Sequence, residues 1–242
     1  MKSVPFRLHR LILTVTACYL LTVSCSGAAA GTAVWLEVKG GIGPATRDYV
    51  LNGIEYAQET RAEAVILEMD TPGGLDSAMR DIIKGILASS VPVVTYVSPS
   101  GSRAASAGTY ILYASHVAAM APATTLGAAT PVQIGGATPS APISRDEQHE
   151  GADQTADDFD ADPLEDDSLR LPGTAMERKA VNDAAAYIRG LAELRSRNAE
   201  WAERAVREAV SLTAEAALEK NVIDIVAVNV PELMEGINGM PV

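Results

Sequence analysis

Five short apolar runs, separated by stretches of helical periodicity, constrain this chain more than any other feature. The runs are AVWLEV (33–38), AVILEM (64–69), VPVVTYV (91–97), HVAAMA (116–121) and VIDIVAV (222–228). The first four are mostly apolar and are bounded by Gly, Pro or charged residues, as strands buried on both faces are. Between them, Val50, Leu51, Ile54 and Ala57 form one helical stripe, and Met79, Ile82, Ile83, Ile86 and Leu87 form another. This alternation predicts an α/β domain built from βαβ-type units. With 48% hydrophobic and 21% charged residues among 242, the chain can bury a sizeable core. That composition excludes both a wholly disordered chain and a polytopic membrane protein.

The formal charge of −12 argues against a nucleic-acid partner, because phosphates need Lys and Arg. The charge is uneven. Residues 145–170 hold eleven acids against Arg145 and Arg170. The wider stretch 131–174 is rich in Gly, Pro, Ala, Thr, Asp and Glu and poor in large apolar residues, so it cannot bury enough area to offset the entropy of ordering. A loop or lid, disordered over about 135–174, is expected there. Helices are expected to resume over roughly 174–197, 199–210 and 213–220, with a last short helix after Pro231.

Residues 1–30 read as an address. Lys2, Arg7 and Arg10 precede thirteen apolar-leaning residues (11–23), and small residues run on to Ala30. Thirteen are too few for a comfortable span of about 20 residues. The layout fits a secretory signal peptide ending near Ala28–Ala30, with an uncleaved N-terminal anchor as the alternative and a lipoprotein reading at Cys25 the weaker one. Both cysteines, Cys18 and Cys25, fall in this segment. The domain that follows has none, which removes disulfides, thiol catalysis and thiolate metal sites. Without an HExxH pattern, a Cys/His cluster or a GxxxxGK[ST] motif, no metal or other cofactor is predicted.

Two stretches leaving buried strands can carry chemistry. In MDTPGG (69–74), Gly73 and Gly74 permit positive φ and close backbone approach, and the helix expected from Leu75 would point amides into a cleft. A plain strand-to-helix turn explains the same residues, and Asp70 suits either a catalytic acid or a turn cap. In GSRAASAGTY (101–110), Ser106 is a candidate nucleophile among small residues, beside Ser100 and Ser102. A helix starting there would favour an alkoxide at Ser106, while small residues also serve tight helix packing.

A serine nucleophile needs a base. His149 lies in the acidic stretch and His116 begins a strand-like run, so a Ser-His-Asp triad is disfavoured. The lysines after residue 30 are Lys39, Lys84, Lys179 and Lys220. Lys84 and Lys220 sit in surface-type helical settings, and Lys39 ends the first strand. Lys179 opens the helix after the acidic stretch. On a helical wheel it falls opposite the stripe of Val181, Ala184, Ile188 and Leu191, so pattern by itself reads it as solvated.

The chain resembles the NfeD (nodulation efficiency protein D) family, in its N-terminal membrane-bound ClpP-class serine protease domain. The segment MDTPGGLDSAMRDIIKGILASSVPVVTYVSPSGSRAASAGTYI, then MAPATTLGAATPV, matches the family's central signature, and KAVNDAAAYIRGLAELRSRNAEWAERAVREAVSLTAEAALEKNVIDIVA matches its C-terminal half. With 33–68 the resemblance covers most of 33–237, except the acidic loop, and makes 31–242 one protease domain. It implies a ClpP/crotonase-like spiral of β-β-α units and a Ser-Lys dyad, with the nucleophile on Ser106 and the lysine of the K-x-x-N element on Lys179, beside Asn182. Backbone amides of Gly73 or Gly74, and of Ala107, would then form the oxyanion hole. The lysine assignment runs against the wheel, although the start of a helix can face a site while its flank packs elsewhere.

The resemblance further implies cleavage of apolar peptide segments, notably of a stomatin-like membrane partner, and homodimerisation of the protease domain. Residues 1–30 lead us to expect an exported, periplasmic or otherwise extracytoplasmic protein, with membrane association as a further reading. The rival readings are a catalytically silent ClpP-like scaffold that binds a membrane protein and an acyl-CoA enzyme of the crotonase type. The acidic loop is either a solvated insertion or a gate beside the cleft.

Overall fold

The computed structural model describes residues 31–132 and 174–240. The expected signal segment, with both cysteines, lies outside the described residues, as does nearly all of the acidic loop, with His149.

The strands are β1 (Ala33–Lys39), β2 (Ala64–Asp70), β3 (Val93–Val97), β4 (Arg103–Ala105), β5 (Val117–Met120), β6 (Thr125–Gly127), β7 (Ser211–Thr213) and β8 (Ile225–Val226). The helices are α1 (Pro44–Thr60), α2 (Asp76–Ala88), α3 (Ala107–Ala114), α4 (Ala175–Leu194), α5 (Ala199–Arg207), α6 (Ala214–Glu219) and α7 (Val230–Ile237). Strands β1-β2-β3-β5-β8 form a parallel sheet in that order. All five apolar runs of the sequence thus enter one sheet. VIDIVAV keeps only two strand residues, and the Asp224 carboxylate beside them accepts from the Ala118 N–H and from Arg197.

Period-2 alternation gives the central sheet two apolar faces. Val65, Leu67 and Met69 enter the larger core beneath α1 and α2, where Ile82, Ile83 and Ile86 are fully buried. Ile66, Val94 and Tyr96 face the other way, against Leu233 of α7. The Tyr96 hydroxyl donates to the Ala227 carbonyl at 2.8 Å and so stays satisfied inside that smaller core.

A second, three-stranded sheet, β4-β6-β7, stands beside the first. Single bridges, Thr71 to Ala104 and Ile42 to Gly74, prolong its pattern back along the chain. Each of β1, β2 and β3 is therefore followed by a short piece of the second sheet's pattern and then a helix. These short strands have only three residues each, too few to show periodicity, and they are absent from the sequence-based expectation. Their consequence is positional: they set the two Gly- and Ser-containing stretches side by side.

Helix ends follow local chemistry. Pro44 takes a first-turn position in α1. At α4, the Thr174 hydroxyl accepts from the Glu177 N–H and the Glu177 carboxylate accepts from the Thr174 N–H, a reciprocal capping box. Helix α3 is buried along its whole length. Its C-terminal carbonyls meet Arg197, which donates to Leu112, Tyr113 and Ser115 at 2.9–3.2 Å, while Arg195 donates to Ala114. Cations at that end complement the helix dipole, and they anchor a helix whose opposite end carries Ser106.

Candidate active site

Ser106 sits between β4 and the first residue of α3, with φ 51 and ψ −115. Positive φ in a non-glycine residue is a strained state that costs about 1–3 kcal/mol and persists only where the surroundings over-determine it. Here the Ser106 N–H donates to the Gly127 carbonyl at 3.0 Å. Thr109, one turn into α3, donates its hydroxyl to the carbonyls of Ala104 (2.8 Å) and Gly127 (3.0 Å) and receives the Gly127 N–H (3.1 Å). These bonds clamp β4, β6 and the start of α3 around the serine, which is half-buried.

The turn after β2 packs against the same point. Gly73 has φ +115, and a Cβ built on it would stand 2.6 Å from Ser106 Cβ. Its N–H donates to the Thr71 hydroxyl at 3.1 Å, and its carbonyl accepts from the Ile42 N–H at 2.9 Å. Gly74 lies against the Ile42 backbone, where a Cβ would meet Ile42 O at 2.1 Å. The Gly74 N–H and the Ala107 N–H have no acceptor among the described residues. That of Ala107 is one of the orphan donors any helix start leaves.

Both amides border a cavity of about 270 Å³ that Ser106 also lines. Leu75, Met79, Ala129, Pro131 and Val132 make much of its wall apolar, and Tyr110 and Ala184 close it from α3 and α4. The Tyr110 hydroxyl donates to Ala129 O at 3.1 Å, and burial pushes its ionisation well above the usual range. Tyr110 thus acts as wall and brace.

Of the residues singled out from sequence, Ser106, Gly73, Gly74 and Ala107 come together. Lys179 is not joined to them by any hydrogen bond among the described residues. It stands exposed near the start of α4, five residues before Ala184, which is about 7.5 Å along the axis. Asn182 accepts from Arg207 at 2.9 Å and ties α4 to α5. Asp70 caps a turn by accepting the Arg103 N–H at 3.1 Å. Neither Ser100 nor Ser102 lines the cavity. Lys39 and Lys84 pair with Glu37 and Asp81 at the surface. His116 Nδ1 accepts the Val93 N–H, and burial, with Arg195 and Arg197 near, depresses its pKa to about 4. It is a structural histidine. Thr71, Thr109 and Tyr110 escaped the sequence reading, although they stand inside the motifs that were singled out.

Residues 34–224 match the N-terminal domain of NfeD1b. The chain belongs to the NfeD1b family. It is 38% identical over 204 residues to the membrane-bound protease PH1510 of Pyrococcus horikoshii, a match covering 84% of this chain and 39% of that protein. It is 39% identical over 82 residues to the membrane protein NfeD1b of Bacillus subtilis, covering 34% of this chain and 18% of that one. The chain therefore spans well under half the length of either relative. Two solved structures of the 1510-N membrane-bound stomatin-specific protease share 37% identity with it. A serine-to-alanine mutant superposes with a TM-score of 0.69, covering 88% of this chain and 87% of that one. A lysine-to-alanine mutant in complex with a substrate peptide gives 0.68, covering 88% and 82%. At this identity the NfeD1b domain's architecture is the ClpP/crotonase-like α/β fold that the sequence led us to expect. Among the described residues, no helix is long and apolar enough to cross a membrane.

Proposed function

We propose that this NfeD1b-family domain is a serine endopeptidase that uses Ser106 as nucleophile and Lys179 as general base. The observation that carries this reading is the pair of amides, Gly74 and Ala107, which have no acceptor among the described residues and border one cavity with a serine held at positive φ. Preorganised donors aimed at a developing oxyanion are often the largest single contribution to acyl-transfer catalysis. The protease names of the relatives, and the serine and lysine replaced in the solved mutants, support the same chemistry.

In the proposed cycle, Ser106 Oγ bonds to the peptide carbonyl carbon as its proton passes to neutral Lys179. The oxyanion accepts from the Gly74 and Ala107 amides. The C–N bond breaks as the lysinium protonates the departing amine. Water then attacks the ester, Lys179 takes its proton, and Ser106 regains a hydroxyl as the acid leaves. Gly73 serves by conformation, since its own amide is held by Thr71. The Ser106–Lys179 hydrogen bond forms with the peptide in place, as catalytic bonds commonly tighten only in the substrate complex.

The apolar wall of Leu75, Met79, Pro131 and Val132 suits an apolar segment, and the relative's stomatin specificity makes a stomatin-like membrane protein the proposed substrate. Export by residues 1–30, a membrane-associated site of action and a homodimer complete the proposal. Ser106→Ala should abolish cleavage of an apolar peptide and labelling by a serine-reactive probe. Wild-type cleavage by purified Ser106→Ala would sink the assignment.

A further inference from the structure

Arg80 on α2 makes three contacts that lead to the cavity from behind. Its Nε donates to Asp76 at 2.9 Å, and its Nη2 donates to Asp183 on α4 at 2.6 Å. Its guanidinium lies 4.4 Å from the centre of the Tyr187 ring, which stacks on Tyr110 at 6.2 Å. Asp76 and Tyr110 line the cavity, as does Ala184, the neighbour of Asp183. Partial burial opposes the charge of Arg80, yet Asp76 and Asp183 hold its ionisation above the ordinary value.

Asp183 follows Lys179 by four residues on the same helix, and side chains so spaced face one another across one turn. A carboxylate there is an ion-pair partner for Lys179 unless something else holds it. We infer that Arg80 is a positioning residue that holds the Asp183 carboxylate away from Lys179, leaving that amine uncommitted and able to act as a base. The inference rests on the proposed role of Lys179.

Among the described residues, the other charged groups on the neighbouring turns are engaged elsewhere or are cations. On α4, Glu177 is taken by the Thr174 N–H, and Arg178 adjoins Lys179 in sequence. On α5, Glu203 is paired with Arg189, and Arg207 donates to Asn182. On α2, Asp76 is held by Arg80 itself. Among the described residues, Asp183 is therefore the carboxylate whose partner decides the charge next to Lys179. An opposite charge within reach favours the ionised amine, and an ammonium cannot accept the serine proton.

The test is the pH dependence of kcat on an apolar peptide. In Arg80→Met, whose stem still covers Tyr187, the rising limb should move about half a unit to higher pH, because Lys179 and Asp183 are both solvent-exposed. The rate on that limb should fall about threefold, with little change in KM. The double variant Arg80→Met/Asp183→Asn should bring the limb back. Should Arg80→Met not fold, Arg80→Lys should give a smaller shift in the same direction, again reversed by Asp183→Asn. An unmoved limb, or a double variant as slow as the single one, overturns the inference. Failure of the underlying reading looks different: Lys179→Ala would then keep the wild-type rate and profile.

Discussion

Gly73 and Ser106 are in contact so close that no side chain fits between them. A Cβ on Gly73 would lie 2.6 Å from Ser106 Cβ and 3.1 Å from its Oγ. The glycine is needed twice, for that approach and for its φ of +115, which L side chains rarely adopt. Gly73→Ala should therefore displace the serine. A shift of about 1 Å can cost on the order of 10²-fold in rate. Peptide cleavage and serine-probe labelling should both fall by about that factor, and labelling at the wild-type rate would contradict the packing argument.

Thr71 has a fully buried hydroxyl bonded to the Gly73 amide. Thr71→Val keeps the shape and removes the acceptor, so the Gly73 N–H is left without its partner. Such a loss costs about 1–3 kcal/mol. Urea unfolding should show that decrease, together with slower cleavage. Unchanged stability would mean that water replaces the hydroxyl without loss.

His116 makes stability depend on pH. Its folded pKa, about 4, lies below the ordinary 6.5, because burial, Arg195 and Arg197 all disfavour its charge. Between those values the unfolded chain binds more protons than the folded one, so stability falls as pH drops from about 6.5 towards 4 and levels off below. Allowing for solvent near a half-buried ring, the loss is roughly 1–2 kcal/mol. The difference in unfolding free energy between pH 7 and pH 4.5 should shrink by that amount in His116→Asn, and an equal difference in both proteins would rule His116 out as its source.

The Arg197 side chain is 1% exposed and pairs with Asp224 at 2.5 Å. Asp224→Ala leaves a buried cation without its counter-charge, which costs about 3–5 kcal/mol. Replacing both groups with apolar residues, as in Arg197→Met/Asp224→Leu, should cost less than Asp224→Ala by itself. Thermal unfolding of the two variants compares them directly. The reverse order would show that the four carbonyl bonds of Arg197 outweigh its charge pairing.

How legible the molecule was depended on the range of each interaction. Met79, Ile82, Ile83 and Ile86 repeat at helical spacing and are all buried in α2. Thr174 and Glu177 stand three residues apart and form the box that starts α4. The wheel placed Lys179 away from the apolar stripe, and Lys179 is indeed exposed. Strands β4, β6 and β7 escaped notice because three residues cannot display a period. Arg80 and Asp183 escaped because they meet across 103 positions, and neither stands out in its own segment.

From its sequence by itself, this chain determined an alternating α/β order, the strand cores and a serine beginning a helix. Those features depend on the spacing of neighbours along the backbone, which a single string of residues records. Only the tertiary structure decided that Thr71 takes the Gly73 amide while, among the described residues, those of Gly74 and Ala107 find no acceptor. It likewise decided that Arg80 takes Asp183. A hydrogen-bond donor's availability depends on everything that folds around it, and those partners arrive from segments distant in sequence.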